Sequence, residues 1–175
     1  MIAAVVLAAG AGERFGGPKQ QLLLPSVLAR LAESPVDEVV VVAGAYPLET
    51  AGAWVVDCPE WERGIGASLR CALAVLGPGV EAAVVCLADG PNLSPEAVCR
   101  VLAAWRSGTG GVVAASYAGD RGHPVVIGRS MWDDVPDEGM KLLPAVLVPC
   151  DDLGTPGDVD SADDIGRLEP PLAEH

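Results

Sequence analysis

Three short stretches are apolar at almost every position: Ile2 to Ala8, Val39 to Ala43 and Ala82 to Ala88. A strand with one wet face alternates apolar and polar residues, so short, valine-rich runs without alternation predict strands covered on both faces. A largely parallel sheet follows. Between these runs the apolar spacing turns helical, over Ser26 to Ala32 and over Gly66 to Leu76, where Leu69, Leu73 and Leu76 fall at i, i+4 and i+7. Ser94-Pro95-Glu96 ahead of Val98, Leu102 and Trp105 supplies an N-cap, a proline at the first helical position and an acidic first turn, which predicts a helix start. The later half predicts strands at 111–116, 124–127 and 145–148, short helical pieces near 130–134 and 137–143, and a last helix opening at Ser161. Strand and helix alternate, so the expected fold is a three-layer α/β/α, Rossmann-like domain on a mostly parallel mixed sheet. We expect it to span residues 1–168 as one domain, with 169–175 as a frayed tail.

Composition narrows this picture. Half of the 175 residues are apolar, but there is only one Phe, with two Tyr and four Trp, so the core is built from Ala, Val and Leu. The 24 acidic against 11 basic residues give a net charge of −13, which repels a phosphate backbone and argues against nucleic-acid binding. No run approaches the ~18 apolar residues of a membrane span, and the first strand leads into a glycine-rich loop instead of a leader cleavage site. The expectation is a cytoplasmic protein without a membrane partner. The five cysteines form no C-x-x-C pair, so zinc or dithiol chemistry is not expected, and they read as buried thiols and not as a disulfide framework.

Chemistry concentrates after the first strand, in Leu7-Ala8-Ala9-Gly10-Ala11-Gly12-Glu13-Arg14-Phe15-Gly16-Gly17-Pro18-Lys19. Glycines let backbone N–H groups approach an anion closely, and Arg14 and Lys19 add two cations, so a polyphosphate is the natural guest. A dinucleotide loop needs G-x-G-x-x-G, whereas three residues separate Gly12 from Gly16. A P-loop fails at Pro18 and at Gln20, which stands where the magnesium-binding hydroxyl belongs. Asp89 follows the third apolar run, at the strand end where open α/β sheets bind ligands, and a carboxylate there can hold Mg²⁺. The alternative reading of Asp89 is a turn or capping residue. Ser68 and Arg70 open a predicted helix, whose free N–H groups attract anions, with capping as the alternative for Ser68. His123, in Gly122-His123-Pro124, is a candidate for ligand contact or proton transfer, or else for fixing a turn.

The loop resembles the L-A-A-G-x-G-x-R-F-G-x-x-K element of a nucleotidyltransferase family, and most closely that of the molybdenum-cofactor cytidylyltransferases. Trp61 to Arg70 is similar to that family's W-x-x-G-x-x-x-S-L-R, Leu87-Ala88-Asp89-Gly90-Pro91 to its L-A-D-x-P, Gly122-His123-Pro124 to its G-H-P, and Asp158 to Ile165 to its D-x-D-T-P-E-D-L. The resemblance implies a nucleotide-diphospho-sugar-transferase-like fold and transfer of CMP, or another nucleoside monophosphate, from a nucleoside triphosphate to a phosphorylated acceptor, with release of pyrophosphate. It implies that Leu7, Ala8, Ala9, Gly10, Gly12, Arg14, Lys19 and Ser68 bind the nucleotide, with CTP favoured, and that Arg14, Lys19 and Asp89 are catalytic. Asp89 and Asp160, with Asp158 as the alternative to Asp160, would hold Mg²⁺, with Mn²⁺ as the alternative ion, while Arg70 and His123 would contact a molybdopterin-type acceptor. A molybdenum hydroxylase is the recipient that this reading implies. Departures from the pattern fall on base and acceptor recognition: Cys58 replaces a common Asn, Gly90 a common Gln, and the G-x-P-L segment after Lys19 is absent. A guanylyltransferase, an isoprenoid cytidylyltransferase, a nicotinamide-dependent pigment oxidoreductase and a noncatalytic molybdenum-cofactor carrier remain as alternatives.

Overall fold

The computed structural model describes residues 1–10, 19–108 and 110–157. Among them seven strands form one sheet in the order β3-β2-β1-β4-β6-β5-β7, comprising β1 (Ile2–Ala8), β2 (Glu38–Ala43), β3 (Trp54–Asp57), β4 (Ala82–Leu87), β5 (Val112–Tyr117), β6 (Asp120–Gly128) and β7 (Val146–Pro149). The pairings β1–β2, β2–β3, β1–β4 and β5–β7 are parallel, and only β6 runs against its neighbours β4 and β5. The sheet is therefore the mostly parallel, mixed one that the unbroken apolar runs predict.

Every residue of β1 is buried. Ala4, Val6 and Ala8 face α1 (Lys19–Ala32) and α3 (Pro95–Arg106), meeting a cluster that includes Leu24, Val27, Leu31, Val98 and Val101. Ala3, Val5 and Leu7 face the opposite layer and its helix α2 (Ile65–Val75), through Leu69, Ala72 and Leu73. A fully buried Val or Leu contributes roughly 1.5–3 kcal/mol, so the two-sided burial of β1 and β4 makes the middle of the sheet its most firmly held part. At its amino end, α3 is capped as expected: the Ser94 hydroxyl accepts from the Ala97 N–H at 3.3 Å.

Several elements differ from the sequence reading. Helix α1 starts at Lys19 and not at Ser26, with Pro25 inside it. A proline normally breaks a helix by clashing with the carbonyl four residues earlier and removing a donor, but Pro25 and Gln21 lie on the exposed face while Leu23 and Leu24 are buried. Water can solvate the freed carbonyl, and apolar burial offsets the remainder. Strand β3 lies at the sheet edge with Trp54 exposed, too short and too wet to announce itself as an apolar run. Strand β6 begins at Asp120, well before Pro124, because Ala118 and Gly119 take φ values of 53° and 84° and close a tight hairpin with β5. The helical pieces expected at 130–134 and 137–143 are 3₁₀ turns at Arg129–Asp134 and Met140–Leu142. Cys58 and Cys71, expected as thiols, form a disulfide between the segment after β3 and helix α2. Their nearness is a product of the tertiary fold and leaves no spacing signature. Cys86, Cys99 and Cys150 are free thiols. The helix expected at Ser161 and the tail at 169–175 lie outside the described residues. No helix among the described residues is long and apolar enough to cross a membrane.

Candidate functional site

The chain runs from β1 outward to β2 and β3, then crosses through α2 to β4 on the other side of β1. Strand order reverses at the β1–β4 boundary, and open α/β sheets bind ligands in the crevice that such a reversal leaves at the strands' carboxyl ends. Ala9 and Gly10 leave β1 there, and Asp89 leaves β4. Lys19, the first residue of α1, reaches the same point: its Nζ lies 3.3 Å from Asp89 Oδ2, with the side chains 10% and 25% exposed. Asp89 lines a cavity of about 340 Å³ together with Leu7, Ala9, Gly10, Gln20 and Ser68, and Lys19 reaches it through that ion pair.

Gln20 is a member that the sequence reading used only to argue against a P-loop. Its Nε2 donates to the Gly10 carbonyl at 2.9 Å, which ties α1 to the exit of β1, while its Oε1 is buried without a hydrogen-bond partner among the described residues. An unsatisfied buried acceptor is costly, and here it borders a cavity in which a ligand N–H could meet it. Ser68 is buried in the first turn of α2, whose N-cap is Gly64, so the capping alternative for Ser68 does not hold. Ala8 is buried at the end of β1.

Arg70 is engaged elsewhere. Its Nη1 donates to the Val135 carbonyl at 2.8 Å, and Nη2 pairs with Asp137, whose other carboxylate oxygen holds Arg63 at 3.1 Å. Together these contacts keep the Asp137 carboxyl below its ordinary range. They also clamp the 135–139 segment onto the start of α2, where a Cβ on Gly66 would lie 1.7 Å from the Pro136 carbonyl oxygen. Arg70 borders none of the cavities described here.

His123 lies inside β6 and not ahead of a strand, followed by a cis bond to Pro124, and its carbonyl accepts from the Tyr117 hydroxyl at 2.8 Å. Burial, and secondly the nearby charge of Arg121, push its imidazole down to about 4. The ring is therefore neutral at pH 7. Because β6 alone is antiparallel, its first residues stand at the edge where the parallel strands end. Arg121, Gly122 and His123 border a cavity of about 230 Å³ on one side and one of about 500 Å³ on the other. The first shares Leu7 and Ile65 with the Lys19–Asp89 cavity, and the second shares Leu87 with it. Arg121 and Lys141, which also borders the smaller one, carry no motif and went unnoticed in the sequence.

Gly12, Arg14, Asp158 and Asp160 lie outside the described residues. Among the described residues no group of three or more His, Cys, Asp or Glu side chains is arranged to hold a metal. Asp89 stands as a lone, partly exposed carboxylate, a donor set that suits Mg²⁺, which takes one or two carboxylates and completes its shell with substrate phosphates and water.

The family model of the MobA-like NTP transferase domain matches residues 4–139. Among solved structures, Rv0371c from Mycobacterium tuberculosis H37Rv is 28% identical at a TM-score of 0.77, over 95% of this chain and 96% of that one. Its homolog from mycobacterium sp. strain JC1 is 27% identical at a TM-score of 0.76, over 95% and 93%. A complex of Rv0371c with manganese is 26% identical at 0.72, over 95% and 97%. No curated protein matches in a sequence comparison. The family match runs from β1 through β6 and takes in both sides of the Lys19–Asp89 crevice, and the chain thus belongs to the MobA-like NTP transferase domain family, a family of nucleotidyltransferase enzymes.

Proposed function

We propose that the protein transfers a nucleoside monophosphate, CMP in preference to GMP, from its triphosphate to a phosphorylated acceptor of the molybdopterin type. The observation that carries this reading is the Lys19–Asp89 pair at 3.3 Å across the β1–β4 crevice, directly after the glycine-rich segment. A cation and a carboxylate side by side can serve opposite ends of one phosphate chain. Lys19, with Arg14, neutralises charge that grows on the departing pyrophosphate, and Asp89, with Asp160, holds the divalent ion. When bound, Mg²⁺ or Mn²⁺ supplies charge neutralisation to the phosphates, and the manganese complex of Rv0371c favours such an ion. The cavity bordered by Leu7, Ala9, Gly10, Gln20 and Ser68 takes the nucleoside. An acceptor oxygen attacks the α-phosphorus, the bond to the bridging oxygen breaks, and pyrophosphate leaves. Catalysis is then positioning and electrostatics, with no covalent enzyme intermediate.

The preference for CTP rests on Ala9 in Leu7-Ala8-Ala9-Gly10, where guanylyltransferases resemble L-A-G-G. A site that hydrogen-bonds a polar base edge can discriminate by a few kcal/mol. The test is pyrophosphate release with each of the four ribonucleoside triphosphates, with and without molybdenum cofactor, run beside an NAD(P)H oxidation assay. Cofactor-dependent release favouring CTP is expected. Equal turnover with CTP and GTP would reject the role of Ala9. Nicotinamide oxidation without pyrophosphate would favour the oxidoreductase alternative, and cofactor binding without either reaction would favour the carrier.

A further inference from the structure

Arg121 stands out by its partners. Arg63, Arg70 and Arg100 each sit on carboxylates, and Arg129 donates to the Val80 and Gly77 carbonyls while stacking on Trp132. Arg121 instead makes one hydrogen bond, from Nη1 to the Leu143 carbonyl at 2.8 Å, and its Nη2 is buried without a partner among the described residues. A buried donor without a partner is unfavourable, and the partial burial of Arg121 lowers its pKa. The chain carries −13 overall, so carboxylates are plentiful, yet among the described residues none pairs with it. Its position gives the reason: Arg121 belongs to the wall shared by the two cavities that flank the start of β6, and both adjoin the Lys19–Asp89 crevice through Leu7, Ile65 and Leu87. Lys141 borders the smaller cavity as a second cation, and the neutral His123 ring adds a polar group without a competing charge.

We propose that Arg121, assisted by Lys141, holds the phosphate of a phosphomonoester acceptor beside the bound nucleotide. This rests on the nucleotidyltransferase reading and assigns the acceptor side of that reaction. Arg121 fixes the phosphomonoester through the guanidinium face that borders the cavities, and planar guanidinium donors match phosphate oxygens in pairs. One oxygen then forms the new bond to the α-phosphorus. The bond from the α-phosphorus to the oxygen bridging to the β-phosphorus breaks, and pyrophosphate leaves with that electron pair. Arg121 exchanges no proton in this step, so its function is to position the nucleophile and screen the repulsion between two phosphates.

Two readouts on the full chain test this. Inorganic phosphate is titrated by calorimetry into Lys19→Ala protein, in which binding at the glycine-rich loop is weakened, and into Lys19→Ala combined with Arg121→Gln or Arg121→Lys. Phosphate affinity should fall at least tenfold with Gln and recover most of that loss with Lys, while melting curves confirm that each variant is folded. In turnover with CTP and molybdenum cofactor, Arg121→Gln alone should raise the acceptor KM at least tenfold and leave the CTP KM unchanged. Pyrophosphate release with an unchanged acceptor KM in Arg121→Gln overturns the proposal and leaves the nucleotidyltransferase reading intact. Arg121-dependent phosphate binding in a wild-type protein that releases pyrophosphate from no triphosphate overturns that reading and leaves the anion site standing. Phosphate binding that is indifferent to Arg121 removes the anion site itself.

Discussion

The two halves of the sheet are built differently, and the two sides of the candidate site follow them. On one side β3, β2, β1 and β4 are all parallel, and their carboxyl ends deliver Gly10 and Asp89 to one crevice beside Lys19. On the other side a tight hairpin turns β6 against β4 and β5, so that the amino end of a strand, carrying Arg121 and His123, faces the same edge. Parallel strands place loops and helix starts at a ligand edge, whereas an antiparallel strand places strand residues there. The first arrangement presents a paired lysine and aspartate, suited to a triphosphate. The second presents an arginine fixed by a carbonyl and a neutral histidine, suited to a different anion.

If the parallel half handles the triphosphate, its two charges should matter most to turnover. Asp89→Asn keeps the size and most of the hydrogen bonding but removes the charge, so pyrophosphate release should fall at least ~100-fold, the scale of losing one preorganised electrostatic contact. Higher Mg²⁺ or Mn²⁺ should restore part of it, as steady-state assays across metal concentrations would reveal. Full metal-dependent turnover in folded Asp89→Asn would make the residue a turn former only. Lys19→Ala should lose on the order of 2 to 4 kcal/mol of transition-state stabilisation, seen mainly in kcat, because charge builds on the leaving phosphates during reaction. A rise in KM alone would show instead that Lys19 binds ground state and transition state equally.

The β6 side should respond to pH through His123. His123 titrates near 4 in the folded protein, against about 6.5 when unfolded. Between those values the unfolded chain binds more protons, so stability falls as pH drops, by roughly 3 kcal/mol once pH is below 4. Above pH 6.5 this contribution to the pH slope vanishes. Comparing urea unfolding of wild type and His123→Gln from pH 7 to pH 4 isolates the effect, and identical slopes would show that His123 is not buried as described. Ser94→Ala lies away from both sides. It should cost about 1 kcal/mol of stability through loss of the cap on α3, with turnover unchanged, and so sets the baseline for a purely structural substitution.

The parallel half was the more legible in the sequence, for a physical reason. Two-sided burial writes continuous apolar runs for β1, β2 and β4, and the strand-end rule then puts Asp89 beside the loop that ends at Lys19. Pro25 concealed the first turns of α1, because propensity alone argues for a break and only the exposure of that face permits the helix to continue. Gln20 became visible as a site member only when its amide was seen tied to Gly10 with a buried oxygen left over. The β6 side left weaker traces. Arg121, Lys141 and Tyr117 belong to no motif, and their convergence depends on a hairpin turn at Ala118-Gly119 that the sequence reading passed over. Arg70 shows the converse: a residue carried by a strong motif, whose guanidinium is held by Asp137 and Val135.

The central claim, that a nucleotidyl group moves from a triphosphate in the β1–β4 crevice to a phosphorylated acceptor, is tested most directly by following the α-phosphorus. CTP labelled at that atom is incubated with molybdenum cofactor and either wild type or Asp89→Asn, and the products are separated. The account predicts that wild type moves the label into a new nucleotide–acceptor diphosphate while releasing unlabelled pyrophosphate, and that Asp89→Asn forms at least ~100-fold less of it. Label that stays in CTP with wild type, or a labelled product that forms equally well with Asp89→Asn, would contradict it.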